Sequence, residues 1–138
     1  MSVSALAVDQ ALQHRITRRQ YLEQAKRVQC RQQAAQIDLG GRKVTFHAHG
    51  LAHTSSDLSM RDEQTGVLLP ADLLFVKRIP SIDGSLNGWF KELDVLKAMG
   101  ATKAIPGHGP VMVDFAPASE ALRKYLATVR DGVRAEIK

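Results

Sequence analysis

Three side chains able to do metal or acid–base chemistry stand at the ends of apolar runs, each beside small or turn-forming residues. They are His53 in Gly50-Leu-Ala-His-Thr-Ser-Ser-Asp57, Asp72 in Leu69-Pro-Ala-Asp-Leu-Leu-Phe75, and His108 in Pro106-Gly-His-Gly109. Neutral imidazole nitrogen and carboxylate oxygen are donors that zinc accepts. Loops held by rigid strands are where a scaffold carries such groups. Each residue taken alone also has an ordinary structural use. A histidine after a strand is commonly a hydrogen-bonded structural residue, and Pro-Gly-His-Gly can be a plain turn. His47 and His49 lie two apart on one predicted strand, with His53 four residues on. They are candidate additional metal ligands; the alternative is the polar outer face of an edge strand. His14 sits among basic residues and reads as a surface group.

The elements that must position these residues follow from periodicity. Residues 9–34 read as a helix, with Leu12, Ile16, Tyr21, Leu22, Ala25 and Val28 as a rough apolar stripe. Ile37–Leu39, Gly40-Gly41 and Arg42–His49 predict a β-hairpin, because two glycines supply the positive φ angles of a tight primed turn. In its second strand Val44, Phe46 and Ala48 alternate with Thr45, His47 and His49, which points the first set toward a core and the second to the other face. Asp57–Arg61 predicts a strand, residues 62–66 a turn, Val67–Leu69 a short strand, and Leu73–Val76 a buried one. Trp89–Met99 predicts a helix stopped by Gly100. Lys103–Ile105 predicts a short strand leading to Pro-Gly-His-Gly. A last helix from near Pro117 carries Ala118, Leu122, Tyr125, Leu126, Val129, Val133 and Ile137 as its buried stripe. The expected class is α/β (α+β): a mixed sheet with helices packed on one face. The other face is left uncovered.

The three motifs, in this order and spacing, resemble the second half of the metallo-β-lactamase superfamily. That pattern runs Gly-x-x-His-Thr-x-x-Asp, then a strand ending in Gly-Asp before an apolar strand, then Pro-Gly-His-Gly after a helix and a strand. Residues 78–89 (Arg-Ile-Pro-Ser-Ile-Asp-Gly-Ser-Leu-Asn-Gly-Trp), the closing Arg123-Lys-Tyr-Leu126 helix and the basic helix around Tyr21-Leu22 are similar to zinc metallohydrolases encoded beside quinoprotein dehydrogenase systems. The resemblance implies the C-terminal half of an αββα sandwich. It implies one partial domain over 1–138: a basic helix (1–35), the sheet and metal-ligand loops (36–113), and a C-terminal helix (114–138). It also implies that His53 is a ligand of a first zinc, that Asp72 is the catalytic residue bridging two zincs, and that His108 is a ligand of the second. Asp57, with Thr54, would orient the His53 loop. The complete fold would hydrolyse an ester, thioester or lactam bond by a zinc-bound hydroxide.

Two departures qualify this. Ala71 replaces the glycine usual before the bridging aspartate, which points to crowding or a changed φ angle there. The family's first-half signature, His-x-His-x-Asp-His, is missing from this sequence; His47-Ala-His49 has the first spacing, but no Asp-His follows. With two ligands per ion, zinc binding by this chain alone is expected to be weak or absent, and the isolated chain inactive, since a catalytic zinc takes three protein ligands. The remaining half is expected from sequence upstream, from another polypeptide, or from a homodimer formed through the uncovered sheet face. The alternative function is a non-catalytic binding or assembly module derived from the fold.

Composition narrows the partners. The 138 residues carry a net charge of +5, and residues 1–35 hold six Lys/Arg against Asp9 and Glu23, so nearly all of the excess is there. No aromatic residues interleave with those charges as a single-strand binder requires. A solvated helix face therefore explains them better than nucleic-acid binding, and a small-molecule substrate is the expected ligand. No apolar run spans a bilayer, and no signal peptide is evident. The quinoprotein-linked relatives suggest a periplasmic setting. Cys30 alone makes no internal disulfide.

Overall fold

Gly40 and Gly41 adopt φ angles of 84° and 94°, as a two-residue primed turn requires. They join strands β1 (Ala34–Asp38) and β2 (Lys43–Ala48), which pair antiparallel with Ile37 opposite Val44. In this computed structural model residues 34–137 are described. The expected N-terminal helix, with His14 and Cys30, lies outside them apart from Ala34, which opens β1.

Four further strands and two helices follow: β3 (Leu58–Asp62), β4 (Leu68–Phe75), α1 (Leu86–Ala98), β5 (Lys103–His108), β6 (Val113–Asp114) and α2 (Phe115–Glu136). The six strands form one sheet in chain order, antiparallel except for β4 and β5, which run parallel on either side of the α1 crossover. The result is the mixed α+β sheet expected.

The boundaries differ from the expectation where long-range contacts decide them. The two short strands expected at Val67–Leu69 and Leu73–Val76 are one strand, β4, running through Pro70 and Ala71. Pro70 lacks an N–H for the ladder. Ala71 takes φ 48°, and the β4–β5 register shifts on both sides of it. Helix α1 starts three residues earlier than expected because Ser85 caps it, its Oγ accepting from the Gly88 N–H at 3.1 Å. Strand β5 continues through Pro106 to His108 instead of ending at Ile105.

Leu68, Leu73, Leu74 and Phe75 of β4 pack against Trp89, Leu93 and Leu96 of α1 and against Phe115, Leu122 and Leu126 of α2. Trp89 is fully buried, and its indole N–H donates to the Leu73 carbonyl at 3.0 Å. In α2 the buried residues stop at Leu126. Val133 and Ile137, expected on the buried stripe, are 52% and 78% exposed. The helix outruns the layer it packs on, namely α1, β4 and β6.

Strand alternation separates the two sheet faces. His49, Ser59, Arg61 and Leu68 point to the helix side, where Glu92 and the Met99 carbonyl meet His49 and Arg61. Ala35, Phe46, Met60 and Leu69 are register partners in turn across β1–β4 and form an apolar row on the opposite face.

Candidate metal site at the ends of β4 and β5

Asp72 lies within β4 and His108 ends β5, and the parallel pairing of these strands brings the two side chains together. Asp72 Oδ1 lies 3.4 Å from His108 Nε2, and both side chains are about half exposed. Gly107 makes this approach possible. A Cβ at that position would overlap Asp72 Oδ1 and come within 2.6 Å of the Ala71 carbonyl carbon and oxygen. The His108 ring stacks on Phe75 at 4.6 Å and 19°. The His108 carbonyl accepts from the Val76 N–H at 2.9 Å, which fixes the end of β5 against β4. Ala71 takes the left-handed φ that the glycine usual at this position would adopt without strain. For an L residue that costs roughly 1–2 kcal/mol.

His53 is held elsewhere in the same neighbourhood. Its loop, between β2 and β3, folds around the Asp57 carboxylate, which accepts from the Thr54 N–H at 2.9 Å and from the Thr54 hydroxyl at 2.9 Å. Asp57 Oδ1 is 3.7 Å from His53 Nδ1. His53 is only 7% exposed. Its Nε2 meets Ser81 Oγ at 3.2 Å, and its ring packs edge-on to Trp89 at 5.2 Å and against Phe75 at 5.6 Å. Residues 83–88 close over the loop. Asp83 and Ser85 donate backbone N–H groups to the His53 and Ala52 carbonyls, and at Gly88 any Cβ would overlap the Leu51 carbonyl.

The structure therefore brings Asp72 and His108 together and leaves His53 in the adjacent core, with Phe75 touching both imidazoles. Among the described residues no three His, Cys, Asp or Glu side chains are grouped to hold a metal ion. The Asp72–His108 pair has the donor chemistry of a zinc site, but two donors fall short of the three that a catalytic zinc takes. The described residues do not make such a site by themselves.

His47 and His49 are placed differently from the polar outer face of an edge strand. Strand β2 is an interior strand, between β1 and β3. His49 is buried, and both of its ring nitrogens are engaged, Nδ1 with Glu92 Oε2 and Nε2 with Ser59 Oγ, each at 2.7 Å. The order Ser–His–carboxylate is that of a hydrolytic triad, but Ser59 is 2% exposed and offers no approach to a substrate. The three groups tie β2 and β3 to α1. No sequence signal announced this, because Glu92 is 43 residues from His49. His47 is half-buried; burial, then the neighbouring His49, pushes its imidazole below the usual range.

The pattern of the metallo-beta-lactamase superfamily matches residues 7–108. Among curated proteins no match was found. Solved structures that share the fold include three with TM-scores near 0.6. A metallo-beta-lactamase from Pontibacter korlensis is 19% identical with a TM-score of 0.61, over 67% of this chain and 45% of that one. A metallo-beta-lactamase family protein from Thermus thermophilus is 22% identical with a TM-score of 0.58, over 68% of this chain and 33% of that one. The DIM-1 metallo-beta-lactamase is 15% identical with a TM-score of 0.59, over 71% of this chain and 46% of that one. The chain thus spans less than half the length of each.

Proposed function

The chain belongs to the metallo-beta-lactamase superfamily, and from that premise we propose that it forms part of a zinc-dependent hydrolase acting on an ester, thioester or lactam bond. His53, Asp72 and His108 are its share of the metal ligands, and the other ligands come from outside the described residues. The observation that carries this reading is the half-exposed Asp72–His108 pair, 3.4 Å apart on parallel strands at a glycine that admits nothing larger. When bound, zinc supplies a Lewis acid and a water acidic enough to ionise near neutrality. The protein's own part is positional. Gly107 and Ala71 set the separation of Asp72 and His108, Phe75 orients the His108 ring by stacking, and Asp57 with Thr54 holds the His53 loop closed. His53 joins the pair only by exchanging its Ser81 contact. The resemblance of residues 78–89 to the quinoprotein-linked hydrolases is the reason for placing the chain in that subgroup. The test is to co-produce the chain with a polypeptide carrying a His-x-His-x-Asp-His half and to assay ester, thioester and lactam substrates. Hydrolysis that needs both parts and is lost in Asp72→Ala supports the reading; hydrolysis unchanged by Asp72→Ala defeats it.

A second reading, a non-catalytic assembly module, draws on the apolar row Ala35–Phe46–Met60–Leu69 on the sheet face opposite α1 and α2. It predicts a dimer that Phe46→Glu dissociates, measured by sedimentation, with no gain of hydrolysis on adding the other half.

A further inference from the structure

A cavity of about 640 Å³ opens between the end of β4, the turn after it, β6 and the first turns of α2. That volume lies within the range of small-molecule sites. Its walls are apolar: Phe75, Val76, Val113 and Leu122, with Ala118 and Ala121 short enough to leave it open. Its charged rim is one-sided. Lys77 and Arg78, consecutive residues of the lining, are exposed, and neither makes an ion pair among the described residues. Asp114, the acidic residue of the lining, is already paired, its Oδ1 2.7 Å from Lys103 Nζ. Lys77 also holds a left-handed backbone, φ 55°. A non-glycine residue rarely adopts that conformation, and such strain gathers at ligand clamps.

An apolar slot with two uncompensated cations at one end fits a ligand with an aliphatic body and a single anionic head. We propose that this groove binds an aliphatic monocarboxylate, its chain against Phe75, Val76, Val113 and Leu122 and its carboxylate at Lys77 and Arg78. Phe75 is shared with the candidate metal site, since its ring also stacks on His108, but the groove needs no metal to bind. Where the hydrolase reading holds, the acid released from an aliphatic ester or thioester is a ligand of this class.

The test is calorimetric titration of the full chain with octanoate in EDTA, beside octanol and octyltrimethylammonium. Working in EDTA separates failure of the groove from failure of the hydrolase reading. Octanoate should bind at least tenfold more tightly than the alcohol or the cation. Its affinity should fall about tenfold or more in Lys77→Ala/Arg78→Ala and in 0.5 M salt. Decanoate should bind more tightly still, by up to about fourfold for each added methylene. Ala121→Phe, an exposed lining position, should block all of it while leaving the urea midpoint unchanged. Binding of the alcohol or the cation as tight as octanoate, an undiminished affinity in the double variant, or no octanoate binding at millimolar concentration would overturn the assignment.

Discussion

Replacing Gly107 by alanine inserts one methyl group where β5 passes Asp72. The added Cβ overlaps Asp72 Oδ1 and lies 2.6 Å from the Ala71 carbonyl carbon and oxygen, about 1 Å inside normal carbon contact distances. The carboxylate can rotate away, but the backbone carbonyl cannot, so relief requires the parallel strands β4 and β5 to separate beside the core residues Leu73 and Leu74. Overpacking of this kind costs about 1–3 kcal/mol, and contact with backbone puts Gly107→Ala at the upper end. At a denaturant slope of about 2 kcal/mol/M, the urea midpoint falls by roughly 1.5 M. Gly132, within α2, is the matched control: a Cβ there meets nothing within 4 Å. Gly132→Ala should gain about 0.5–1 kcal/mol from helix propensity, raising the midpoint by up to about 0.5 M. The same chemical change then has opposite signs at two positions. Equal midpoints for Gly107→Ala and the wild type would refute the claim that close approach at Gly107 sets the Asp72–His108 geometry.

Other consequences are open to the same kinds of assay. Ala71→Gly removes a left-handed strain of about 1–2 kcal/mol against an unfolded-chain entropy of about 0.4–1 kcal/mol; a net gain of up to about 1.6 kcal/mol in urea is expected, and a clear loss would contradict it. His49→Ala strands the buried Ser59 hydroxyl and leaves a cavity, so a loss of about 2–4 kcal/mol is expected, whereas no loss would show that the Glu92–His49–Ser59 tie carries nothing. The Asp62 carboxyl is held well below the ordinary carboxylate range, first by the Arg42 hydrogen bonds at 2.6 and 3.2 Å, then by Thr65 and the Gln64 N–H. Because its folded value is the lower one, its stabilisation is present above about pH 4 and is lost as pH falls further. Asp62→Asn should flatten that limb of the stability–pH curve.

Features decided locally were legible in the sequence. Gly40-Gly41 specified the hairpin, Gly100 the end of α1, and the His53, Asp72 and His108 motifs the family. Features decided across the fold were not. Pro70 reads as a break, yet β4 continues through it because β5 accommodates a shifted register at Ala71. The stripe of α2 keeps its period to Ile137, but periodicity does not report where the supporting layer ends. His47 and His49 read as an exposed polar pair until α1 brought Glu92 onto His49. Of the candidate site, Asp72 and His108 are brought within 3.4 Å by the parallel pairing of β4 and β5, which neither motif encodes by itself. The turn of His53 toward Ser81 and Trp89 depends on residues 28 and 36 positions away, which no local pattern encodes.

The central claim is that this chain contributes His53, Asp72 and His108 to a zinc site whose remaining ligands lie outside the described residues. Elemental analysis of bound zinc tests it most directly, on the 138-residue chain alone, on the chain with a His-x-His-x-Asp-His half supplied, and on Asp72→Ala in both settings. Stoichiometric zinc only when the half is supplied, and lost in Asp72→Ala, is the predicted result. Zinc held stoichiometrically by the chain alone, or zinc in the complemented protein that survives Asp72→Ala, would contradict the claim.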